Sequence, residues 1–227
     1  MSTFKKGLIK SFSNRKDLNG LIEKRVKYTT EKYRPFDPAL YLYNQLLNFG
    51  TDKKFTDEFI ELVYTTLIAW NMNQRGARLS KFEKFKKSIL DNKDRIDSLT
   101  KYRLESLDEK DLKEIYETTK KLFKDLQLVQ DGKPKLVTFS KTLHYFVPDL
   151  TMPVDRAYTL RFYYGNYYVP KSLDKQFDIY WDIFKDTEEF TKYYDFKKVA
   201  DSKWNRSIPK IIDNFIIAST KKIGTKN

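Results

Sequence analysis

Apolar side chains recur at helical spacing along almost the whole chain, and this periodicity constrains the fold most strongly. Near the C-terminus, Ile208, Ile211, Ile212, Phe215 and Ile216 follow an i, i+3, i+4, i+7, i+8 pattern. This pattern is typical of the buried face of an α-helix. Alternation with a period of two, which would indicate strands, is barely present. The sequence therefore predicts an all-α fold, an orthogonal bundle of eight to ten helices.

Capping patterns predict where several of these helices start. Thr56 precedes a strongly apolar helix, and a capping box pairs a Ser, Thr or Asp with a Glu three residues later. The predicted boxes are Ser80 with Glu83, Ser106 with Glu109, and Asp186 with Glu189.

The 227 residues are enough for one large domain or two small ones. No repeat, low-complexity tract or long linker divides the chain. We therefore predict a single helical domain over residues 1–227, with a bilobed arrangement around the turn near Asp131 as the alternative. Residues 1–16 are basic but lack the apolar segment of a signal peptide, and we expect a loosely ordered arm there. With no apolar run of membrane-spanning length, the expected location is cytoplasmic.

The scarce residue types exclude several kinds of site. The chain contains no cysteine and one histidine, which excludes disulfides, thiolate metal sites and a cysteine nucleophile. Zinc requires several His, Cys or carboxylate ligands, so no metal site is expected. A glycine-rich phosphate loop of the Walker or Rossmann type is also missing, and no cofactor is expected.

The formal net charge of +13 points to a polyanionic partner. Nucleic acid is the commonest such partner, and DNA is the one we expect, whereas the oligomeric state stays open. The alternative is a lysine-rich protein whose charge serves solubility. Arg75 and Arg78 flank Gly76 just before a predicted helix, which suits phosphate contact. A solvated connecting loop is the alternative for these residues.

The candidate catalytic residues lie within residues 138–165. A helix predicted over residues 137–147 carries Lys141, and Pro148 ends that helix. After a short crossing, Asp155 lies at the N-cap of the next helix, where free backbone amides would hold its carboxylate. Apolar walls on both sides would partly desolvate the space between the two side chains. A desolvated lysine loses proton affinity and becomes a nucleophile, and a nearby carboxylate acts as a base or stabilises a developing cation.

Other side chains of this segment are candidates for contact with nucleic acid. They are His144, Arg156, Tyr158 and Arg161, in addition to Arg75 and Arg78 of the upstream loop. Pairing with a carboxylate at the edge of the core is the alternative for the two arginines of the segment. The aromatic group Tyr158, Phe162, Tyr163, Tyr164, Tyr167 and Tyr168 stacks an extruded base in one interpretation and packs in the core in the other.

Each of the principal residues also has a purely structural interpretation. Lys141 is then a solvated helix lysine whose stem lies on apolar surface. Asp155 is then a helix N-cap with no further role. His144 is then an aromatic-like helix residue, and Trp70 belongs to the core.

The same segment resembles the helix-hairpin-helix, Gly/Pro-Asp superfamily of DNA glycosylases. Residues 140–142, Ser-Lys-Thr, are similar to the Lys-Thr that follows the hairpin in that family. Residues 152–155, Met-Pro-Val-Asp, are similar to its Pro-Val-Asp end, and residues 156–161 to the start of the helix behind it. The resemblance implies that Lys141 forms a Schiff base with a sugar carbon and that Asp155 assists the loss of the base.

The segment also departs from the family pattern. The family's hairpin carries Gly-x-Gly, whereas residues 137–139 read Val-Thr-Phe, and the interval from Lys141 to Asp155 is shorter than usual. A wider pattern, which includes residues 70–73, resembles uncharacterised microbial proteins. Three functions are therefore open: a DNA glycosylase or AP lyase, a nucleic-acid-binding protein without catalysis, and a non-enzymatic helical interaction protein.

Overall fold

A computed structural model of the chain describes residues 6–33, 38–49, 53–72, 78–201 and 203–221. These residues form eleven α-helices and no β-strand, which confirms the all-α prediction. The α-helices are α1 (Leu8–Phe12), α2 (Leu18–Tyr28), α3 (Pro38–Asn48), α4 (Asp57–Ala69), α5 (Phe82–Leu90), α6 (Lys93–Asp97), α7 (Glu109–Asp125), α8 (Leu136–Phe146), α9 (Arg161–Tyr164), α10 (Leu173–Phe190) and α11 (Ile208–Thr220).

Shorter helical turns connect these elements. A π-helical turn, Thr29–Tyr33, continues α2, and a second one, Arg156–Leu160, leads into α9. In the described part of the chain, 3₁₀ turns lie at Leu104–Ser106, Thr191–Tyr193 and Phe196–Val199. Among the described residues, no helix is both long enough and apolar enough to cross a membrane.

Two helices, α8 and α11, form the centre of the bundle. Every residue of α8 is buried, and so are residues 209–218 of α11. Helix α8 packs against α3, α4, α6 and α10, whereas α11 packs against α2, α9 and the turn Arg156–Leu160. Because these two helices are covered on nearly all sides, their polar side chains need partners inside the protein.

The N-terminal segment packs more closely than the sequence predicted. Residues 1–5 lie outside the described residues, but Leu8 and Phe12 of α1 belong to the main hydrophobic cluster. The backbone amide of Leu8 donates a hydrogen bond of 2.7 Å to the Asp186 carboxylate of α10. The prediction of a loosely ordered arm over residues 1–16 is therefore wrong for α1, because its apolar side chains are buried against the core.

The predicted cap at Thr56 is confirmed, since its side chain accepts a hydrogen bond from the amide of Phe59. The three predicted capping boxes are wrong. Helix α5 begins after Lys81 without a side-chain cap, and Asp186 lies inside α10, where it binds α1 instead. Ser106 lies in a 3₁₀ turn that precedes α7.

Helix α7 has a capping box two residues beyond the predicted one. Asp108 accepts a hydrogen bond of 2.7 Å from the amide of Asp111, and Asp111 accepts one of 3.3 Å from the amide of Asp108. The hydroxyl of Ser106 instead donates to the carbonyl of Arg103. The cap is therefore an Asp–Asp pair, which satisfies two amides of the first turn.

We predict that Asp108→Ala lowers the free energy of unfolding by about 1 kcal/mol, because the first turn of α7 loses its cap. Ser106→Ala is the matched control, and it should change stability by less than about 0.5 kcal/mol. Urea denaturation followed by circular dichroism measures both. Equal losses in the two variants would contradict the assignment of Asp108 as the cap.

Candidate active site

The crossing between α8 and the turn Arg156–Leu160 brings Lys141 and Asp155 together. The hydroxyl of Ser140 accepts a hydrogen bond of 3.0 Å from the amide of Val154, which ties the crossing back to α8. Lys141 follows Ser140 and Asp155 follows Val154, so this bond also brings Lys141 and Asp155 close together. The Lys141 Nζ atom lies 3.5 Å from Asp155 Oδ2.

The carboxylate of Asp155 has two different sets of partners. Its Oδ1 accepts hydrogen bonds from the amides of Ala157 and Tyr158, at 2.7 Å and 3.2 Å, which confirms the predicted N-cap. Its Oδ2 faces Lys141. Burial favours the neutral acid, but the charge of Lys141 and the two amide bonds outweigh it and lower the pKa of Asp155. Asp155 is therefore a carboxylate at neutral pH.

Lys141 is buried, which overturns its interpretation as a solvated lysine. The residue is only 6% exposed, and its Nζ atom lies 4.9 Å from the centroid of the Trp70 ring. Burial lowers the pKa of the Lys141 amine, although the carboxylates of Asp155 and Asp213 partly oppose this effect and the charge of Lys210 adds to it. A lower pKa increases the fraction of neutral amine, which is the nucleophilic form.

Both side chains line one cleft with a volume of about 600 Å³. The turn after α4 contributes Trp70 and Met72 to its wall, Tyr158 comes from the turn Arg156–Leu160, and Tyr167 comes from the segment after α9. The Asp155 side chain is 30% exposed, so this end of the cleft is open to solvent. The cleft is thus a partly aromatic pocket with an amine and a carboxylate at its wall.

A second ion pair lies deeper in the same cleft and was missed by sequence reasoning. Lys210 Nζ and Asp213 Oδ2 of α11 are 2.6 Å apart, and the two side chains are 2% and 6% exposed. Lys210 Nζ also lies 5.5 Å from the centroid of the Trp70 ring. The sequence does contain a sign of this pair, because two residues of opposite charge lie three positions apart within an otherwise apolar helix. The cleft therefore contains two lysines on one indole, with one carboxylate beside each.

The predicted nucleic-acid contacts are distributed unevenly. Arg156 and Tyr158 line the cleft, and Arg156 is exposed. Arg161 and Arg78 are exposed but are not among the residues that line the cleft. Arg75 lies outside the described residues.

His144 is not accessible to nucleic acid in this structure, because its side chain is fully buried and does not line the cleft. Its Nδ1 atom lies 2.6 Å from the carbonyl of Thr151, and its Nε2 atom lies 2.8 Å from the hydroxyl of Tyr43. A carbonyl only accepts, so Nδ1 carries the proton and Nε2 accepts from the tyrosine. Burial lowers the pKa of His144 to about 3, which keeps the ring neutral.

The predicted aromatic group divides into two parts. Phe162, Tyr163 and Tyr164 are buried in the core, whereas Tyr167 and Tyr168 are 47% and 68% exposed. The interpretation as core packing therefore holds for Phe162, Tyr163 and Tyr164, whereas stacking with an extruded base stays a prediction. The buried members fix α9, and the exposed members lie in the segment that borders the cleft.

No protein-family model matches this chain, and no curated protein or solved structure matches it. The interpretation of the site therefore depends on its own geometry. Among the described residues, no group of three or more His, Asp or Glu side chains is arranged to hold a metal ion.

We predict that Asp213→Asn lowers the free energy of unfolding by about 3–5 kcal/mol, because it leaves the buried Lys210 ammonium without its counter-charge. The double variant Lys210→Met/Asp213→Leu should regain most of this loss, since apolar side chains replace both charges. Chemical denaturation measures the difference. If the double variant is as unstable as Asp213→Asn, the loss of stability does not come from the unpaired charge of Lys210, and the prediction is wrong.

We also predict that His144 makes the protein less stable as the pH falls below about 6.5. The unfolded chain then binds a proton that the folded protein, with a His144 pKa of about 3, does not bind. The free energy of unfolding should fall by up to about 1.4 kcal/mol per pH unit between pH 6.5 and 5. His144→Gln should remove this slope in denaturation curves at several pH values, and an unchanged slope would contradict the assignment.

Proposed function

We propose that this protein binds DNA and acts on one extruded nucleotide by base-excision chemistry, with Lys141 as nucleophile and Asp155 as its carboxylate partner. One observation carries the proposal. A buried lysine amine lies 3.5 Å from a helix-capping carboxylate, and both line one cleft of about 600 Å³. The resemblance of residues 138–165 to the helix-hairpin-helix DNA glycosylases implies the same two roles for these residues.

Of the two lysines in the cleft, Lys141 is better suited to act as the nucleophile. Lys210 is held by Asp213 at 2.6 Å, a close charge-assisted hydrogen bond that fixes the position of its amine. The Lys141 amine is 3.5 Å from its carboxylate, a looser contact, and it lies nearer to the solvent-accessible end where Asp155 is 30% exposed. The like charge of Lys210 also favours the neutral form of Lys141.

The chemistry proceeds through a covalent bond between Lys141 and the sugar. The neutral amine attacks C1′ of the extruded nucleotide, the C1′–N bond to the base breaks, and its electron pair leaves with the base. Asp155 stabilises the positive charge that develops on the sugar, and the proton released from the amine passes to the departing base. Opening of the sugar ring then gives an imine between Nζ and C1′, as the remaining proton of Nζ passes to the ring oxygen.

At a site that has already lost its base, the same amine adds to the C1′ aldehyde. Loss of water gives the imine. The proton on C2′ then passes to the Asp155 carboxylate, a double bond forms between C2′ and C3′, and the C3′–O bond breaks with its electron pair leaving on the phosphate. This sequence cleaves the DNA strand and needs no metal ion or cofactor in the bond changes described.

DNA is the substrate class that best fits the surroundings of the site. The net charge of +13 attracts a polyanion, and the exposed Arg156 lies on the cleft wall beside Asp155. The cleft volume lies within the range of about 300–1,000 Å³ that is usual for small-ligand pockets, which admits one nucleotide rather than a duplex. Trp70 and Tyr158 on its walls suit stacking with an extruded base.

We predict that sodium borohydride traps a covalent complex between the protein and DNA that contains one abasic site, because it reduces the imine to a stable amine. Lys141→Ala should give no trapped complex. Asp155→Asn should lower the rate of base release from damaged duplexes by about 10²- to 10⁴-fold, the range expected when a positioned proton-transfer or charge-stabilising group is lost. Denaturing gel electrophoresis measures the trapped complex, and the released base is measured by mass spectrometry.

Two lysine variants provide matched controls. Lys135 is also buried, but its amine donates to the carbonyls of Lys124 and Leu126, so Lys135→Met should still form the complex. The double variant Lys210→Met/Asp213→Leu removes the other amine of the cleft without leaving an unpaired buried charge, and it should also form the complex. A complex that forms with Lys141→Ala but not with the double variant would show that Lys210, and not Lys141, is the nucleophile. Binding of DNA without any trapped complex or base release would reject catalysis and leave a DNA-binding protein.

A further inference from the structure

Met72, a methionine on the wall of the cleft, is held in place by the end of α4. The helix ends in a Schellman motif, in which the amide of Met72 donates to the carbonyl of Leu67 at 3.1 Å. The amide of Asn71 donates to the carbonyl of Ile68 at 2.8 Å, and Asn71 takes the left-handed conformation that the motif requires, with φ 59°. The backbone of Met72 is therefore fixed where its side chain meets the cleft.

The sulfur of Met72 also has a polar partner on α8. The hydroxyl of Thr138 donates to Met72 Sδ at 3.9 Å, and Thr138 is fully buried. The buried Thr119 hydroxyl, in contrast, donates to the carbonyl four residues earlier in its own helix. A thioether sulfur is a weak acceptor with two lone pairs, and the Thr138 hydroxyl takes one of them. The second lone pair is the one that a molecule inside the cleft can reach.

The two methionines of the described residues differ in their access to solvent. Met72 is half-buried and lines the cleft, which is open to solvent at the end where Asp155 lies. Met152 is 5% exposed and belongs to the hydrophobic core. Because oxidation of a methionine sulfur requires contact with the oxidant, a peroxide dissolved in the cleft meets Met72 first.

Met72 lies on the part of the cleft wall that is next to Lys141. Thr138 and Lys141 are three residues apart on α8, so they lie one turn apart on the same face of the helix. The ring centroid of Trp70, two residues before Met72, is 4.9 Å from Lys141 Nζ. An oxygen atom bonded to the Met72 sulfur therefore adds a strong hydrogen-bond acceptor near the amine. Such an acceptor favours the ammonium form of a lysine, which is not a nucleophile.

We propose that Met72 is a modification site for hydrogen peroxide and that its oxidation to the sulfoxide switches off the Lys141 amine. The free lone pair of the sulfur attacks one peroxide oxygen, the O–O bond breaks, and the other oxygen leaves as hydroxide. The hydroxide takes the proton from the oxygen now bonded to sulfur, so the thioether is oxidised to a sulfoxide and the peroxide is reduced to water. Methionine sulfoxide reductases reverse this change, which makes the switch resettable. The inference rests on the proposed function in one respect, because it takes Lys141 as the reactive amine.

Peptide mass spectrometry tests the modification site. After the folded protein is treated with hydrogen peroxide, the peptide that contains Met72 should gain one oxygen atom, and the peptide that contains Met152 should remain unchanged. Protein unfolded in urea should be oxidised at both positions, because burial no longer protects Met152. If Met152 in the folded protein is oxidised as fast as Met72, the inference is overturned.

Reductive methylation with formaldehyde and cyanoborohydride measures the Lys141 amine without DNA, because only the neutral amine reacts. Oxidised protein should lose most of the label at Lys141 compared with untreated protein, and treatment with methionine sulfoxide reductase should restore it. Lys135 is the internal control, since its buried amine donates to two carbonyls near the end of α7 and does not line the cleft. Labelling of Lys135 should not change. Met72→Leu cannot form a sulfoxide, so peroxide should leave Lys141 labelling in this variant at the level of the untreated variant.

The outcomes separate this inference from the proposed function. If Met72 is oxidised but Lys141 is labelled as before, the sulfoxide does not control the amine and the inference is overturned. The inference is also overturned if peroxide lowers Lys141 labelling in Met72→Leu as much as in the unaltered protein. If labelling follows the oxidation of Met72 but the untreated protein forms no trapped complex with abasic DNA, the proposed function fails and the inference stands.

Discussion

The carboxylate of Asp155 joins the two halves of the site, and the arrangement of the cleft depends on it. One oxygen holds the first amides of the turn Arg156–Leu160, and the other faces the Lys141 amine. The helix start, the direction of the chain after the crossing and the environment of the lysine are therefore set by one side chain. The bond from Val154 to Ser140 supports this contact from the side of α8. A carboxylate fixed by backbone amides keeps its charge in a partly buried place, which lets it stabilise a neighbouring cation without moving.

Burying a charged side chain in the two central helices costs desolvation free energy, so the positions of these charges suggest a function. Helices α8 and α11 are buried on nearly every side, yet each carries a lysine whose amine lies near the Trp70 ring. A buried ion pair contributes little to stability compared with apolar side chains of similar size. That both pairs line the same cleft, rather than separate parts of the core, favours a role in binding or chemistry.

Burial gives the single histidine, His144, a structural role instead of the binding role that the sequence suggested. Next to Lys141 on the predicted helix, it looked like part of the site. In the structure, both ring nitrogens are used within the protein, by Thr151 and Tyr43, and the imidazole is neutral. It links the segment after α8 to α3. Helical spacing alone places His144 beside Lys141. It does not show that the Lys141 side chain lines the cleft while the His144 side chain lies in the core.

Local rules in the sequence predicted a large part of the fold and of the site. The 3.6-residue period predicted the helices, Pro148 predicted the end of α8, and the position of Asp155 predicted its role as a cap. These features could be predicted because each depends on residues that are close together in the chain. The exact start of α7 was missed because Ser106 and Asp108 are both acceptable caps, and only one lies where the free amides are.

Only the tertiary structure decided which charged residues share a cleft. Lys210 and Asp213 are far from Lys141 in sequence, and the periodicity of α11 predicted one buried stripe rather than a helix buried all round. It also decided that Tyr164 is packed inside while Tyr168 faces solvent, although both belong to one aromatic run. The physical reason is that desolvation and the meeting of distant charges depend on which helices cover one another, and this is set by packing across the whole chain rather than by any local pattern.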